Sequence, residues 1–116
     1  MKQLRWVGSS LRDVRAFPEE VRREAGFQLQ AVQSGLQPTD WKAIADIGSG
    51  VMEIRIHIGG EWRILYVAKH RSAIYVLHVF QKKSQSISRA DLYIARRRYK
   101  EVVRLNEQRD EADRKR

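Results

Sequence analysis

VMEIRIHIGGEWRILYVAKHRSAIYVLHVFQKK, residues 51–83, decides the fold. It holds three runs rich in β-branched and aromatic residues: Val51–Ile58, Trp62–Ala68 and Ala73–Phe80. Gly59-Gly60 parts the first two and His70-Arg71-Ser72 the last two, the pattern of consecutive hairpins. Alternate residues of a strand face opposite ways. Met52, Ile54, Ile56 and Ile58 therefore share one face, and Val51, Glu53, Arg55 and His57 the other. In the second run Trp62, Ile64, Tyr66 and Ala68 alternate with Arg63, Leu65 and Val67. An odd connection, Ile58-Gly59-Gly60, keeps Ile64 and Tyr66 on the face of Ile54 and Ile56, and places Arg63 on the face of Arg55. One side is expected to be an apolar floor for helices. The other is expected to present Glu53, Arg55, His57 and Arg63 to solvent or a ligand, with Lys82 and Lys83 where the sheet gives out.

Upstream, residues 2–7 alternate and are expected to form a first strand. Ser10-Leu11-Arg12-Asp13 has the spacing of a capping box, and a short helix carrying Leu11, Val14 and Phe17 follows. Pro18 suits the start of a second helix, with Glu19 and Glu20 against the positive end of its dipole. Val21, Ala25, Leu29 and Val32 give that helix one buried stripe, and Gly35 stops it. Residues 36–50 are expected to be a loop in which Trp41 and Ile44 plug an edge of the core.

Downstream, Ser88 and Asp91 mark the start of a last helix, with Ile87 stapled against Leu92. Its apolar stripe is Leu92, Ala95, Tyr99 and Val102, leaving Arg96, Arg97, Arg98 and Lys100 pointing away. Residues 106–116 have no apolar anchor and are expected to be a charged, disordered tail. The expected order is β-α-α-β-β-β-α. It describes an α+β domain over residues 1–105, with a small, mostly antiparallel sheet, two N-terminal helices on one face and a C-terminal helix.

The chain has 116 residues, enough for one core. Its formal net charge is +9 and its pI about 10.4, an excess that calls for a polyanionic partner, nucleic acid first among them. It has no cysteine, which excludes disulfides and thiolate metal sites and fits a reducing compartment. No apolar run reaches the length of a membrane span, and no signal-peptide core follows Met1-Lys2-Gln3-Leu4. The expected location is the cytoplasm.

GSSLRDV and FPEEV early, EIR and WRILYV in the hairpin, and VLHVFQKKSQ before the last helix together resemble the RelE/HigB superfamily, in particular the phage-derived HigB-like toxins of type II toxin–antitoxin modules. The resemblance covers roughly residues 1–105. It implies a toxin that inhibits translation as a ribosome-dependent mRNA endonuclease, without metal or cofactor. The implied partners are the ribosome, its mRNA and a HigA-like helix-turn-helix antitoxin, with operator DNA reached only through that antitoxin. Arg63 matches the strand arginine of RelE-type toxins, Arg55 a basic position on the preceding strand, and Lys82 and Lys83 the basic position after the last strand. The tyrosine such toxins carry after that strand has no clear counterpart here.

Attack of a ribose 2′-OH on the neighbouring phosphorus needs a base, cations for the phosphorane oxygens and an acid for the leaving oxygen. Arginine keeps its proton, so Arg55 and Arg63 would clamp phosphate, whereas Lys82 or Lys83 can exchange one. His78 is the central-strand group with ordinary proton-transfer chemistry near neutrality. Phe80, on the face of His78, is a candidate for base stacking. His57, Arg96 and Arg97 complete the candidate RNA contacts. His57 and His70 lack ligand spacing, so no metal is expected. Two other functions fit the same fold: a ParE-like gyrase inhibitor, and a non-enzymatic basic module acting with a DNA-binding partner.

Overall fold

Gly59 and Gly60 take φ of +56° and +143°, values that a residue with a Cβ rarely adopts. They turn the chain through the three residues 58–60, so that His57 pairs with Glu61 and Arg55 with Arg63. The odd connection expected from the sequence is the one observed. In the computed structural model, which describes residues 1–115, the elements run β1 (Leu4–Trp6), α1 (Ser10–Arg15), α2 (Glu19–Gln33), β2 (Trp41–Ala43), β3 (Val51–His57), β4 (Glu61–Val67), β5 (Ile74–Lys82) and α3 (Arg89–Arg114). The sheet order is β1-β5-β4-β3-β2, with β1 parallel to β5 and every other pair antiparallel. This is an α+β fold with a five-stranded mixed sheet and three helices.

Helices cover both faces. On one, α1, α2 and the link between them lay Val14, Phe17, Val21, Ala25, Leu29 and Val32 on Ile54, Ile56, Trp62, Ile64, Tyr66, Ile74, Val76 and Val79. On the other, Ala95 and Val102 of α3 pack with Val51, Leu65, Val67, Tyr75, Leu77 and Phe80. Fully burying a side chain such as Ile64 or Leu65 contributes about 1.5–3 kcal/mol. Two separate apolar clusters therefore share one sheet. Among the described residues, no helix is long and apolar enough to cross a membrane.

A bulge in β5 breaks the expected alternation. Leu65 faces His78 and Tyr66 faces Val76, so Leu77 stands unpaired between them. Beyond it the parity flips: Val76 and Val79 join the α1/α2 cluster, while Leu77 and Phe80 join that of α3. A bulge leaves part of the ladder unmatched, and here the Leu77 carbonyl accepts from Arg98 Nη1 at 2.8 Å. Arg98 Nη2 also donates to Ser9 Oγ at 3.1 Å. Arg98, expected to point away, turns inward. Gly8 must be glycine there: its φ is +56°, and a Cβ would lie 2.7 Å from the guanidinium.

Four other expectations are corrected. The 36–50 segment is not all loop: Trp41–Ala43 adds the edge strand β2, making the order β-α-α-β-β-β-β-α. Trp41 is 41% exposed and plugs no core, whereas Ile44 packs against the α3 cluster. Ser10 does not cap α1; it is buried with its hydroxyl on the Val76 carbonyl, and Ser9 flanks the helix, donating to Asp13 Oδ2 at 2.7 Å. Residues 106–114, expected as tail, continue α3 to Arg114, while Arg116 lies outside the described residues. Ser88 behaves as read, accepting from the Asp91 amide at 3.1 Å.

Candidate functional site

Alternation gives Glu53, Arg55 and His57 of β3 one face, and pairing with β4 brings Glu61 and Arg63 beside them. The side chains interlock in order of charge. His57 Nε2 meets Asp40 Oδ2 at 2.6 Å and its Nδ1 meets Glu61 Oε1 at 2.8 Å. Arg63 Nη2 reaches the same Glu61 Oε1 at 3.0 Å, and Arg63 Nε lies 3.6 Å from Glu53 Oε2. Glu53 Oε1 accepts from Arg55 Nε at 3.0 Å. Three acids thus alternate with three bases from the sheet edge to the groove. Hydrogen bonds to Asp40 and then Glu61 raise the pKa of His57 above its ordinary value, and those from His57 and then Arg63 lower that of Glu61.

The expectation that Arg63 faces solvent is overturned. It is 4% exposed, because β4 is the middle strand of the sheet and Arg63 has Arg55 on one side and Phe80 on the other. Its Nη1 is spent on the Trp62 carbonyl at 3.0 Å. Its truncation would therefore leave a buried carboxylate short of a partner, where an exposed position would have left none.

Arg55, a third exposed at its side chain, opens onto a groove of about 320 Å³. Lys42 comes to the groove from β2, Lys82 from the end of β5 and Arg96 from α3, with Ile44, Ile87 and Leu92 as apolar wall. Two acids, Asp46 and Glu53, stand against these four cations. Lys82 Nζ donates to the Gln85 carbonyl at 2.6 Å, and Arg96 Nε to that of Asp46 at 3.3 Å. Both ammonium and guanidinium keep further donors for a ligand.

The remaining candidates are placed elsewhere. Lys83 is exposed beside a smaller recess of about 220 Å³ that Phe80, Lys82, Ser88 and Asp91 also line. His78 is 8% exposed at its side chain, with Nε2 on Asp91 Oδ1 at 2.7 Å and a buried Nδ1 that has no partner. It can reach no substrate as placed. Phe80 shares its face as expected, stacking on the His78 ring at 5.1 Å, but is itself buried. His57 is held by its two carboxylates. Arg97 lies with Gly8, Tyr93 and Arg98 at a different recess.

Lys42 was missed, because its strand carries no apolar alternation; all three residues of β2 are exposed. Its signal was the turn chemistry of Pro38-Thr39-Asp40 just ahead of Trp41. Among the described residues, no group of three or more histidine or acidic side chains is placed to hold a metal ion.

A family model described as "Phage derived protein Gp49-like (DUF891)" matches residues 12–100. The matched span runs from α1 to the middle of α3 and includes all the groove residues. No curated protein matches the chain.

Proposed function

The chain belongs to the phage-derived Gp49-like family, and from that premise we propose that it is the toxin of a type II toxin–antitoxin module. Its activity in this reading is that of a RelE/HigB-type endoribonuclease that cuts messenger RNA on the ribosome. The observation that carries the reading is the convergence of Lys42, Arg55, Lys82 and Arg96 on one open groove. Arg55, Lys42 and Arg96 neutralise the phosphorane as the ribose 2′-OH attacks. Lys82 and Lys42 are the two of the four suited to exchange a proton with the attacking or leaving oxygen, since arginine keeps its own. Arg63 supplies positive charge from behind the groove without contact. A HigA-like antitoxin would silence the protein by covering the groove or blocking its approach to the ribosome.

One observation favours a second reading. Neither Arg63 nor His78 is free to meet a substrate, and a ParE-like gyrase inhibitor needs neither. Pulsed expression without the neighbouring antitoxin gene separates the two. Cleavage points within ribosome-bound message, mapped by primer extension, are expected. Intact message with blocked DNA supercoiling would replace the endonuclease by the gyrase inhibitor, and unimpaired growth at verified soluble expression would remove the toxin reading.

A further inference from the structure

Glu53 is the buried one of the groove's two carboxylates, and phosphate chemistry has no use for it. A negative charge beside a phosphate opposes its binding, and burying one is costly unless it is paired. Yet the Glu53 side chain is 3% exposed and lines the groove floor. Its two oxygens do different things. Oε2 lies 3.6 Å from Arg63 Nε, and Arg63 is anchored from behind by Glu61 and the Trp62 carbonyl. Oε1 accepts from Arg55 Nε at 3.0 Å. Arg55 is tied by that nitrogen, and the described residues offer its Nη1 and Nη2 no partner.

A guanidinium is a rigid plane with five donors. Fixing the Nε edge fixes the direction of the terminal pair, the fork that matches two phosphate oxygens. We propose that Glu53 is a positioning residue: backed by Arg63, it holds Arg55 by Nε so that the free Nη1/Nη2 pair is presented to a phosphodiester in the groove. Arg63 offsets the charge of Glu53, so the groove keeps its attraction for anions while Arg55 gains a fixed orientation. The role in cleavage rests on the endonuclease reading above; the presentation of Arg55 does not.

The test compares wild type, Glu53→Gln, Arg55→Ala and the double variant by two measurements. The first is single-turnover cleavage of ribosome-bound message together with affinity for the ribosome. Glu53→Gln is expected to slow cleavage about ten- to a hundredfold, the scale of a misplaced reactive group, with ribosome affinity within about threefold. The double variant should be no slower than Arg55→Ala alone, because Glu53 acts only through Arg55. An equal further loss in the double variant, or an unchanged rate in Glu53→Gln, would overturn the proposal.

The second measurement is the Nε–H resonance of Arg55 by NMR, with no message present. It should exchange slowly with water in wild type and rapidly in Glu53→Gln. An unchanged resonance overturns the positioning role whether or not the protein cuts RNA. A resonance released in Glu53→Gln, when the wild type cuts nothing, overturns only the endonuclease reading. If Glu53→Gln fails to fold, Glu53→Asp keeps the charge and withdraws the oxygen by one methylene. The same release of the Arg55 resonance is then expected, and its retention counts against the proposal.

Discussion

The two faces of the sheet are made by the same strands and held by opposite means. Under α1 and α2, Ile54, Ile56, Trp62, Ile64 and Tyr66 meet apolar helix residues along the whole hairpin. Across the sheet the apolar cluster takes only the far end, around Val51, Leu65 and Val67. Toward the hairpin tip that face carries Glu53, Arg55, His57, Glu61 and Arg63 instead. Apolar burial is non-directional and tolerant of small shifts. An ion-pair chain is neither: it adds little net stability and loses much when one link is removed. The difference teaches where specificity sits. Neighbours in sequence such as Arg63 and Ile64 are equally buried, yet one holds a charge in place and the other fills space.

The largest test of that contrast is Arg63→Ala against Ile64→Ala. Arg63→Ala should cost about 3–5 kcal/mol because it strips a partner from the buried Glu53. Ile64→Ala should cost about 2–5 kcal/mol by transfer and cavity. Denaturant unfolding reads both. Loss of less than about 0.5 kcal/mol at Arg63, the usual surface value, would mean that the ion-pair chain is open to water and the contrast false.

Next comes Gly8→Ala, at the corner where the two faces are tied by Arg98. A residue held at φ of +56° against a guanidinium should lose about 1–3 kcal/mol, seen as a lower Tm. An unchanged Tm would show that Arg98 gives way easily.

Arg55→Ala should cost about 1–3 kcal/mol, since it removes a hydrogen bond from the buried Glu53, which keeps only the longer contact with Arg63. Message cleavage should also fall about a hundred- to a thousandfold. Cleavage within a few-fold of wild type would take Arg55 out of the site.

The smallest effect is a pH dependence. Because the pKa of His57 is raised on folding, its pairing stabilises fully below its ordinary 6.5 and fades as pH rises through the raised value. Glu61, lowered, contributes above its ordinary 4.5 and loses that as pH falls through the lowered value. The chain of pairs is complete between those two ordinary values. The Tm gap between wild type and His57→Gln should be widest there and narrow as pH rises through the raised value; a gap independent of pH would show that His57 is not held as a cation.

The apolar face was legible because alternation and a three-residue glycine turn leave one register that buries Ile54, Ile56 and Ile64 together. The helix stripe of Val21, Ala25, Leu29 and Val32 was legible for the same reason. What escaped has physical causes. The β5 bulge flips parity at Leu77, and no local residue type announces it. β2 is an exposed edge strand, so it has no apolar pattern to read. Residues 106–114 lack apolar anchors but are rich in good helix formers, with pairs such as Lys115–Glu111 at 3.4 Å. Arg63 was read as exposed because charge suggests a surface. Its burial comes from Arg55 and Phe80 on its flanks and the pairs to Glu53 and Glu61, on a face that α3 partly covers, whereas alternation alone left that face to solvent.

The contact of Arg98 with Ser9 joins residues 89 apart in the sequence, and β1 pairs with β5 across most of the chain. Such contacts are the slow ones to form, since loop closure precedes any reward. On a translating ribosome the chain emerges N-terminus first, so β1 waits for β5, and the bulge waits for α3 to bring its arginine. Arg96 and the 85–87 wall of the groove also arrive late. A nascent chain therefore leaves the tunnel with its cationic groove unassembled, and the groove forms only once the last helix has docked.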